Sequence, residues 1–418
     1  MRILIHDYAG YPFPLDLSRE LAQRGHQVWH VHFQDLQHHK AGCMAETSNE
    51  GTLTILGLTL GEAFDKHSLF RRRSQDLRYA RLAAGQIAAF RPDVVLSGNA
   101  PLEVQKRLRT AAGKAGARFY FWVQDFYSLA VRRLLSKRLP VVGHLVGHYY
   151  THLERGLLRG SEGVVLITAD FLPTVKSWGL DPARCHVIEN WAPVQRNSYR
   201  PAPEQWKAAN GFTGKRLLLY SGTLGKKHNP SLLLELARAV RDQPDVVVAV
   251  VSAGPGTEWL KSAAAAEGLG NLQVLPFQPI EQLPHMLAAA EVLVGILNQT
   301  ASAFSVPSKV LTYLAAGKPT LLSIPLENLA ARTISRIGAG LVVPPDCPEE
   351  WVNGALTLLR DRDLRERCSL AATRYAQEVF DVGRIASQFE RVFAMTASTA
   401  DSGHTDESLP SLSNPAPV

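Results

Sequence analysis

Cysteine is scarce: the 418 residues contain Cys43, Cys185, Cys347 and Cys368, far apart and with no CxxC pair. That spacing excludes a zinc knuckle and a disulfide framework, and reduced thiols are expected. Long apolar runs are missing too. No stretch reaches the roughly 18 uninterrupted apolar residues that cross a bilayer. The start, Met1-Arg-Ile-Leu-Ile-His-Asp7, lacks the basic region and apolar run of a secretion signal, so a cytoplasmic protein is expected. Histidine is plentiful, with His6, His30 and His32 on strands and His38 and His39 in a loop, yet neither HExxH nor clustered Cys/His spacing occurs. No metal site is expected. The chain also lacks GxGxxG and Walker A, the best signatures of dinucleotide dehydrogenases and P-loop kinases. No period of about 20 to 50 residues recurs, which argues against solenoids and propellers.

What is present suits a folded protein. Hydrophobic residues make up 46% and charged residues 20%, the balance of a globular chain. At about 150 residues per domain the length suggests two or three domains. The net charge of +7 is uneven: residues 1–200 hold 26 Lys+Arg against 17 Asp+Glu, and residues 201–418 hold 19 against 21. A basic first half offers counter-charge to nucleic acid, anionic lipid or a phosphorylated substrate. Without an RNP-like, helix-turn-helix or zinc-finger pattern, nucleic acid is not expected.

Short apolar runs alternate with amphipathic ones. In the first half strands are expected at Arg2–His6, His26–His32, Thr52–Gly57, Asp93–Ser97, Ala117–Val123, Gly163–Ile167 and His186–Glu189. Helices such as Leu15–Arg24, Ser68–Phe90 and Leu102–Ala115 separate them. The pattern lapses over Pro193–Gly214, where Pro201 and Pro203 disfavour helix. It resumes with strands at Arg216–Ser221, Val246–Val251, Leu272–Leu275, Val292–Ile296, Pro319–Ser323 and Gly340–Val343. The fold class is therefore α/β, two tandem doubly wound domains with parallel sheets facing a cleft. The expected boundaries are 1–198, 199–380, a helix over 381–396 returning to the first domain, and a disordered tail over 397–418.

Two segments carry candidate chemistry. In Phe304-Ser-Val-Pro-Ser-Lys-Val-Leu-Thr-Tyr-Leu-Ala-Ala-Gly-Lys-Pro319, Ser305, Pro307 and Ser308 suit a helix start and Gly317 an end. Amides at a helix N-terminus beside Lys309 would bind a phosphate, and an ordinary capped helix with a surface lysine is an equal reading of the segment alone. In Tyr220-Ser-Gly-Thr-Leu-Gly-Lys-Lys-His-Asn-Pro230, Gly222 and Gly225 allow close backbone approach, and Lys226, Lys227 and His228 could meet a diphosphate. In the first half, Asp125 of Trp122-Val-Gln-Asp-Phe-Tyr127 follows a strand and should face the cleft. A helix cap before Phe126–Leu135 is an equal reading of it. Tyr11 in Tyr11-Pro-Phe-Pro14 lies near the first turn, either lining a site or simply connecting strand to helix. Trp191 and Trp206 near the linker read as packing.

These motifs, with Asn190 after a strand and Ala253-Gly-Pro-Gly256, resemble family 4 glycosyltransferases over about residues 1–395, most closely bacterial members that build extracellular polysaccharides of the colanic-acid type. The resemblance implies a GT-B fold of two Rossmann-like domains, with a nucleotide-sugar donor on the second and the acceptor on the first. No cofactor or metal is implied, because family members hold the diphosphate with basic side chains and helix amides. Carried over position by position, Gly222, Thr223, Lys227, His228, Ser305, Ser308 and Lys309 become donor-binding candidates. Asp125 becomes the catalytic candidate and Tyr11 an acceptor contact. The family's frequent acidic pair falls on Phe304 and Thr312, and its arginine after the turn glycine on Thr223.

The expected function is transfer of a sugar from a nucleotide diphosphate donor to a glycan or polyprenyl-linked acceptor, with retention implied by the resemblance. A non-catalytic homologue supporting a partner enzyme is the alternative that Phe304 and Thr312 motivate, and a nucleotide-sugar epimerase on the same tandem fold, which would lack the Pro-Ser-Lys element, is a second. The segment Leu129–Leu158, with Arg132, Arg133, Lys137, Arg138 and Arg155 among apolar residues, suggests peripheral contact with an anionic membrane at its inner face. A solvated helix face is its bland reading.

Overall fold

The computed structural model describes residues 1–36, 48–65, 68–136, 140–192, 201–225, 228–299 and 307–401. The first sheet contains β1 (Arg2–Asp7), β2 (Gln27–Phe33), β3 (Ser48–Glu50), β4 (Leu53–Leu58), β5 (Val94–Gly98), β6 (Arg118–Val123), β7 (Gly163–Leu166) and β8 (Cys185–Val187). Its order is β3-β4-β2-β1-β5-β6-β7-β8, parallel except where β3 pairs antiparallel with β4. Its main helices are α1 (Pro12–Gln23), α2 (Leu69–Phe90), α3 (Leu102–Lys114), α4 (Tyr127–Ser136), α5 (Pro140–Arg159) and the short α6 (Leu172–Ser177).

The second sheet holds β9 (Arg216–Ser221), β10 (Val246–Val251), β11 (Leu272–Leu275), β12 (Val292–Ile296), β13 (Thr320–Ser323) and β14 (Gly340–Val343), ordered β11-β10-β9-β12-β13-β14 and parallel throughout. Around it lie α7 (Pro203–Ala209), α8 (Ser231–Ala239), α9 (Pro255–Ala266), α10 (Leu283–Ala288), α11 (Ser308–Ala315), α12 (Leu329–Ile337), α13 (Pro348–Arg360) and α14 (Arg362–Val379), and α15 (Val382–Asp401) ends the described chain.

Burial on both faces explains the continuous apolar strands. Val246–Val251 is wholly buried, with Val248 and Val250 in one core cluster and Val247 and Ala249 in another. The architecture is the expected α/β pair of doubly wound sheets. Each has a point where strand order reverses, between β1 and β5 in the first sheet and between β9 and β12 in the second. Ligands of open α/β sheets bind outside the strand carboxyl ends at such points.

Two local expectations are corrected, and one strand was not expected. Pro203 does not prevent helix but begins one, at the N-terminal position where its missing N–H costs nothing. β3 is short and polar, without the alternation that announces a strand. α15 continues to Asp401, past the expected start of the tail; residues 402–418 lie outside the described residues.

The first core cluster crosses between the sheets, since Ile167 and Trp191 share it with Leu314 and Ile334. An ion pair from Arg332 to Asp170 also joins the two halves. α15 returns to the first sheet, where Glu390 meets Arg24 at 2.7 Å and His26 at 2.9 Å. Trp191 and Trp206 are buried packing residues.

Candidate active site

On the second sheet the chain leaves β9 through Gly222, whose φ of 134° favours glycine. A Cβ there would stand 3.0 Å from the Lys309 Nζ. Lys309 lies in the first turn of α11, following β12, so the motifs at 220–225 and 307–309 converge at the reversal point. Its ammonium donates to the Tyr220 hydroxyl at 2.6 Å and sits 3.8 Å from that ring's centroid. The Tyr220 hydroxyl donates in turn to the Thr223 carbonyl at 3.0 Å. Burial pushes the Tyr220 phenol well above its usual range, so it remains a donor. Tyr313 fixes the same turn: its hydroxyl accepts from the Ser221 N–H at 3.0 Å.

The neighbouring turn is equally tight. His228 Nδ1 accepts the Gly225 N–H at 3.0 Å. Gly254, at φ 123°, lets the loop after β10 approach so closely that a Cβ would meet the Leu224 carbonyl at 2.9 Å. A small cavity of about 40 Å3 is lined on one side by Glu189 and Asn190 and on the other by Ser308, Leu311 and Tyr375. Ser308 is therefore at the boundary between the two sheets. Thr312, at one of the family's acidic positions, turns its hydroxyl back toward the Ser308 carbonyl at 3.5 Å. Lys227, Ser305 and Phe304 lie outside the described residues.

On the first sheet, Asp7 ends β1 directly beside Gly98 of β5, at the other reversal point. Its carboxyl is buried. It accepts from Asn99 Nδ2 at 2.9 Å and from the Tyr11 backbone N–H. Asn99 takes a φ of 55° to do so, a conformation Asn tolerates better than most residues. Burial pushes Asp7 up to about 7, while the bonds from Asn99 and from the amides of Tyr11, Ala9 and Gly10 pull the other way. Tyr11 caps the start of α1 with its ring stacked on Phe13 at 6.0 Å. Its phenol is pushed up to about 12, first by burial and then by the negative charges of Asp7 and Asp125. The structure thus brings Tyr11 and Asp125 to one side of the cleft, together with Asp7.

Asp125 is exposed at the end of β6. Glu154 also serves this helix start: α4 begins at Tyr127, and the Tyr127 and Ser128 amides bond the Glu154 carboxylate of α5 at 3.0 and 3.1 Å. Glu154 also accepts from the Ser128 hydroxyl, and burial raises it to about 7. Asp7, Asn99, Glu154 and Tyr220 were not singled out as site residues from sequence. A lone acid ending an apolar strand was the one available signal, at Asp7.

The histidines on strands are core groups. His6 bonds the Ser97 hydroxyl at 2.8 Å and the Tyr79 hydroxyl at 2.9 Å, and burial, then the charge of His32, lowers it to about 3. Among the described residues no group of three or more His, Cys, Asp or Glu is placed to hold a metal ion.

Comparison with known proteins adds the following. The family model "Glycosyl transferase 4-like domain" matches residues 13–191, and "Glycosyl transferases group 1" matches residues 203–375. The Escherichia coli (strain K12) protein WcaI, named as a colanic acid biosynthesis glycosyl transferase, is 24% identical over 304 residues, 72% of this chain and 73% of the relative. The Pseudomonas aeruginosa protein WbjE, named as a glycosyltransferase, is 26% identical over 271 residues, 62% of this chain and 64% of the relative. Among solved structures, sucrose-phosphate synthase of Thermosynechococcus elongatus superposes with a TM-score of 0.72 at 13% identity, covering 96% of this chain and 100% of the other. Anabaena HepE in complex with UDP and glucose superposes with a TM-score of 0.67 at 15% identity, covering 94% and 100%. At these identities the superpositions establish the fold.

Proposed function

The chain belongs to the family 4-like glycosyltransferases of GT-B architecture, and from that premise we propose how its cleft transfers sugar. It acts on a nucleotide-sugar donor in polysaccharide biosynthesis. The donor diphosphate lies against Gly222, Thr223, Ser308 and Lys309, with Lys227, His228 and Ser305 completing the contacts. The acceptor, a glycan or polyprenyl-linked sugar, lies against Tyr11 and Asp125. The observation that carries this reading is the convergence of Lys309 and the Gly222 turn at the strand-order reversal of the second sheet.

The chemistry follows from the charges. As the anomeric C–O bond to the diphosphate breaks, the leaving group keeps the electron pair, and negative charge grows where Lys309, Lys227 and the α11 amides can stabilise it. No metal is needed for that stabilisation. The acceptor hydroxyl forms the new C–O bond, and its proton passes to Asp125, which until that transfer faces the positive sugar ring as a carboxylate. Retention of configuration is part of the proposal.

The first domain is proposed to touch an anionic membrane at its cytoplasmic face, where nucleotide sugars are available. No helix among the described residues is long and apolar enough to cross a membrane. Support for peripheral contact comes from exposed Arg132 on α4 and Leu145 on α5, with exposed Phe70 and Arg71 at the start of α2. Lys137 and Arg138 of the basic stretch lie outside the described residues.

The deciding experiment is donor turnover: purified protein with UDP-, GDP- and dTDP-sugars and a lipid-linked acceptor, with EDTA in a parallel arm. Release of nucleoside diphosphate only with acceptor supports transfer. Loss of turnover in EDTA would overturn the metal-independent part, and tight donor binding without turnover would leave only the supporting-homologue reading.

A further inference from the structure

Helices α2 and α3 leave a groove of about 960 Å3 between them, with Tyr149 of α5 also in its lining. It lies outside the cleft. Its Glu103 end begins just after β5, at the cleft edge, and its Arg91 end lies just before β5, at the opposite edge of the sheet.

The rim is cationic. Arg91, Lys106, Arg107 and Lys114 line it, and none of their side chains has an ion pair or hydrogen bond among the described residues. Some exposed arginines elsewhere take acid partners, as Arg19 does with Glu50, Arg78 with Glu62 and Arg238 with Glu267. The acid lining the groove, Glu103, is already engaged by Arg73 at 3.4 Å and by the Tyr150 hydroxyl at 2.9 Å.

Gly85 is an independent observation. It sits mid-helix in α2 among the exposed residues lining the groove, where a Cβ would meet nothing within 4 Å. Neither packing nor positive φ asks for glycine there, and glycine weakens a helix interior relative to alanine. A larger side chain there would project from the groove lining.

The layout selects the ligand. Lys106 and Lys114 are about 12 Å apart along α3 at 1.5 Å per residue, and Arg91 adds charge from α2. An amphiphile needs charge at one end and apolar surface at the other. Charge spread along the length fits a linear polyanion, and the Tyr149 ring, 52% exposed, offers an apolar face to a pyranose. We propose that the α2–α3 groove is a binding site for an acidic glycan, holding an extended anionic stretch of the polysaccharide while its reacting end lies in the cleft. The ligand class rests on the polysaccharide reading above.

The test is fluorescence-anisotropy binding of a labelled oligogalacturonate to the full chain at low and high salt, without donor. A neutral malto-oligosaccharide and phosphatidylglycerol vesicles serve as competitors, and UDP-sugar binding is measured in parallel. Oligogalacturonate should bind, release at high salt and resist the neutral sugar. Replacing Lys106, Arg107 and Lys114 together by Gln should weaken it by roughly tenfold or more. Gly85→Leu should weaken it as well, with no fall in melting temperature. Binding unchanged in both variants, equal competition by the neutral glycan, or displacement only by the vesicles would overturn the proposal. The UDP-sugar arm is read separately, so a failed donor reading does not pass for a failed groove.

Discussion

The Lys309 ammonium rests on Tyr220, 2.6 Å from its hydroxyl, and Tyr220 is itself tied to the Thr223 carbonyl. The lysine is thus held beside the glycine turn before any ligand arrives, and less side-chain freedom is lost when a phosphate binds.

Lys309→Ala should weaken nucleoside diphosphate binding by about 10- to 100-fold, the range for a charged hydrogen bond. Calorimetry with UDP and GDP measures it. Unchanged affinity for whichever nucleotide binds would remove Lys309 from the donor site.

Tyr220→Phe keeps the ring under the ammonium and removes the hydroxyl link. A loss of about 1 kcal/mol in stability is expected, with donor affinity reduced several-fold less than in Lys309→Ala. Urea unfolding alongside calorimetry separates the two effects, and equal affinity losses in both variants would contradict a merely positioning Tyr220.

Asp125→Asn should lower turnover far more than donor affinity, since the amide keeps the shape and loses the charge. Glu154 bonds the first α4 amides in the variant as well, and the melting temperature is recorded beside turnover. A turnover within about twofold of wild type would refute the catalytic assignment.

Asp7 gives a pH dependence with a definite sign. Its folded value of about 7 lies above the unfolded value of about 3.9. Its contribution is fully present below about pH 4 and is lost as pH rises through 7. Asp7→Asn should therefore flatten the fall in stability between roughly pH 4 and 8. His6 and His32, lowered to about 3 and about 4, act oppositely: their contribution is present above about 6.5 and lost as pH falls through those values. Urea midpoints across pH measure both wings. An identical curve for Asp7→Asn would show that its carboxyl does not titrate there.

Replacing Arg132, Arg133, Lys137 and Arg138 by Gln should release the protein from phosphatidylglycerol vesicles at low salt, at roughly 1 kcal/mol per basic group near the surface. Sedimentation with neutral and anionic vesicles provides the comparison. Equal sedimentation with both, or none with either, would discard the electrostatic contact.

Legibility from sequence followed the range of the interaction. β10 is readable to the residue because both faces are buried and every position is apolar, whereas β3 is three polar residues at an edge, formed by pairing with β4. The Lys309 motif was readable because a helix start and a cation are local features. Its contact with Tyr220 spans 89 positions and was not. Asp7 and Asn99 are 92 positions apart and meet only because β5 returns beside β1. Glu154 sits on a helix whose sequence reads as basic and amphipathic, and its role appears only when α5 packs against the start of α4.

α15 alters what the two halves can do relative to one another. The polypeptide passes from the first sheet to the second after Trp191 and comes back at Phe380–Asp381, where α14 gives way to α15. A body attached at one point can swivel in any direction; attached at two, it keeps easy rotation only about the line that joins them. The return of α15 to Arg24 and His26 makes the second attachment. Any hinge motion between the halves is thereby confined toward one axis, as a door is by two pins, where a single connection would leave a loose pivot.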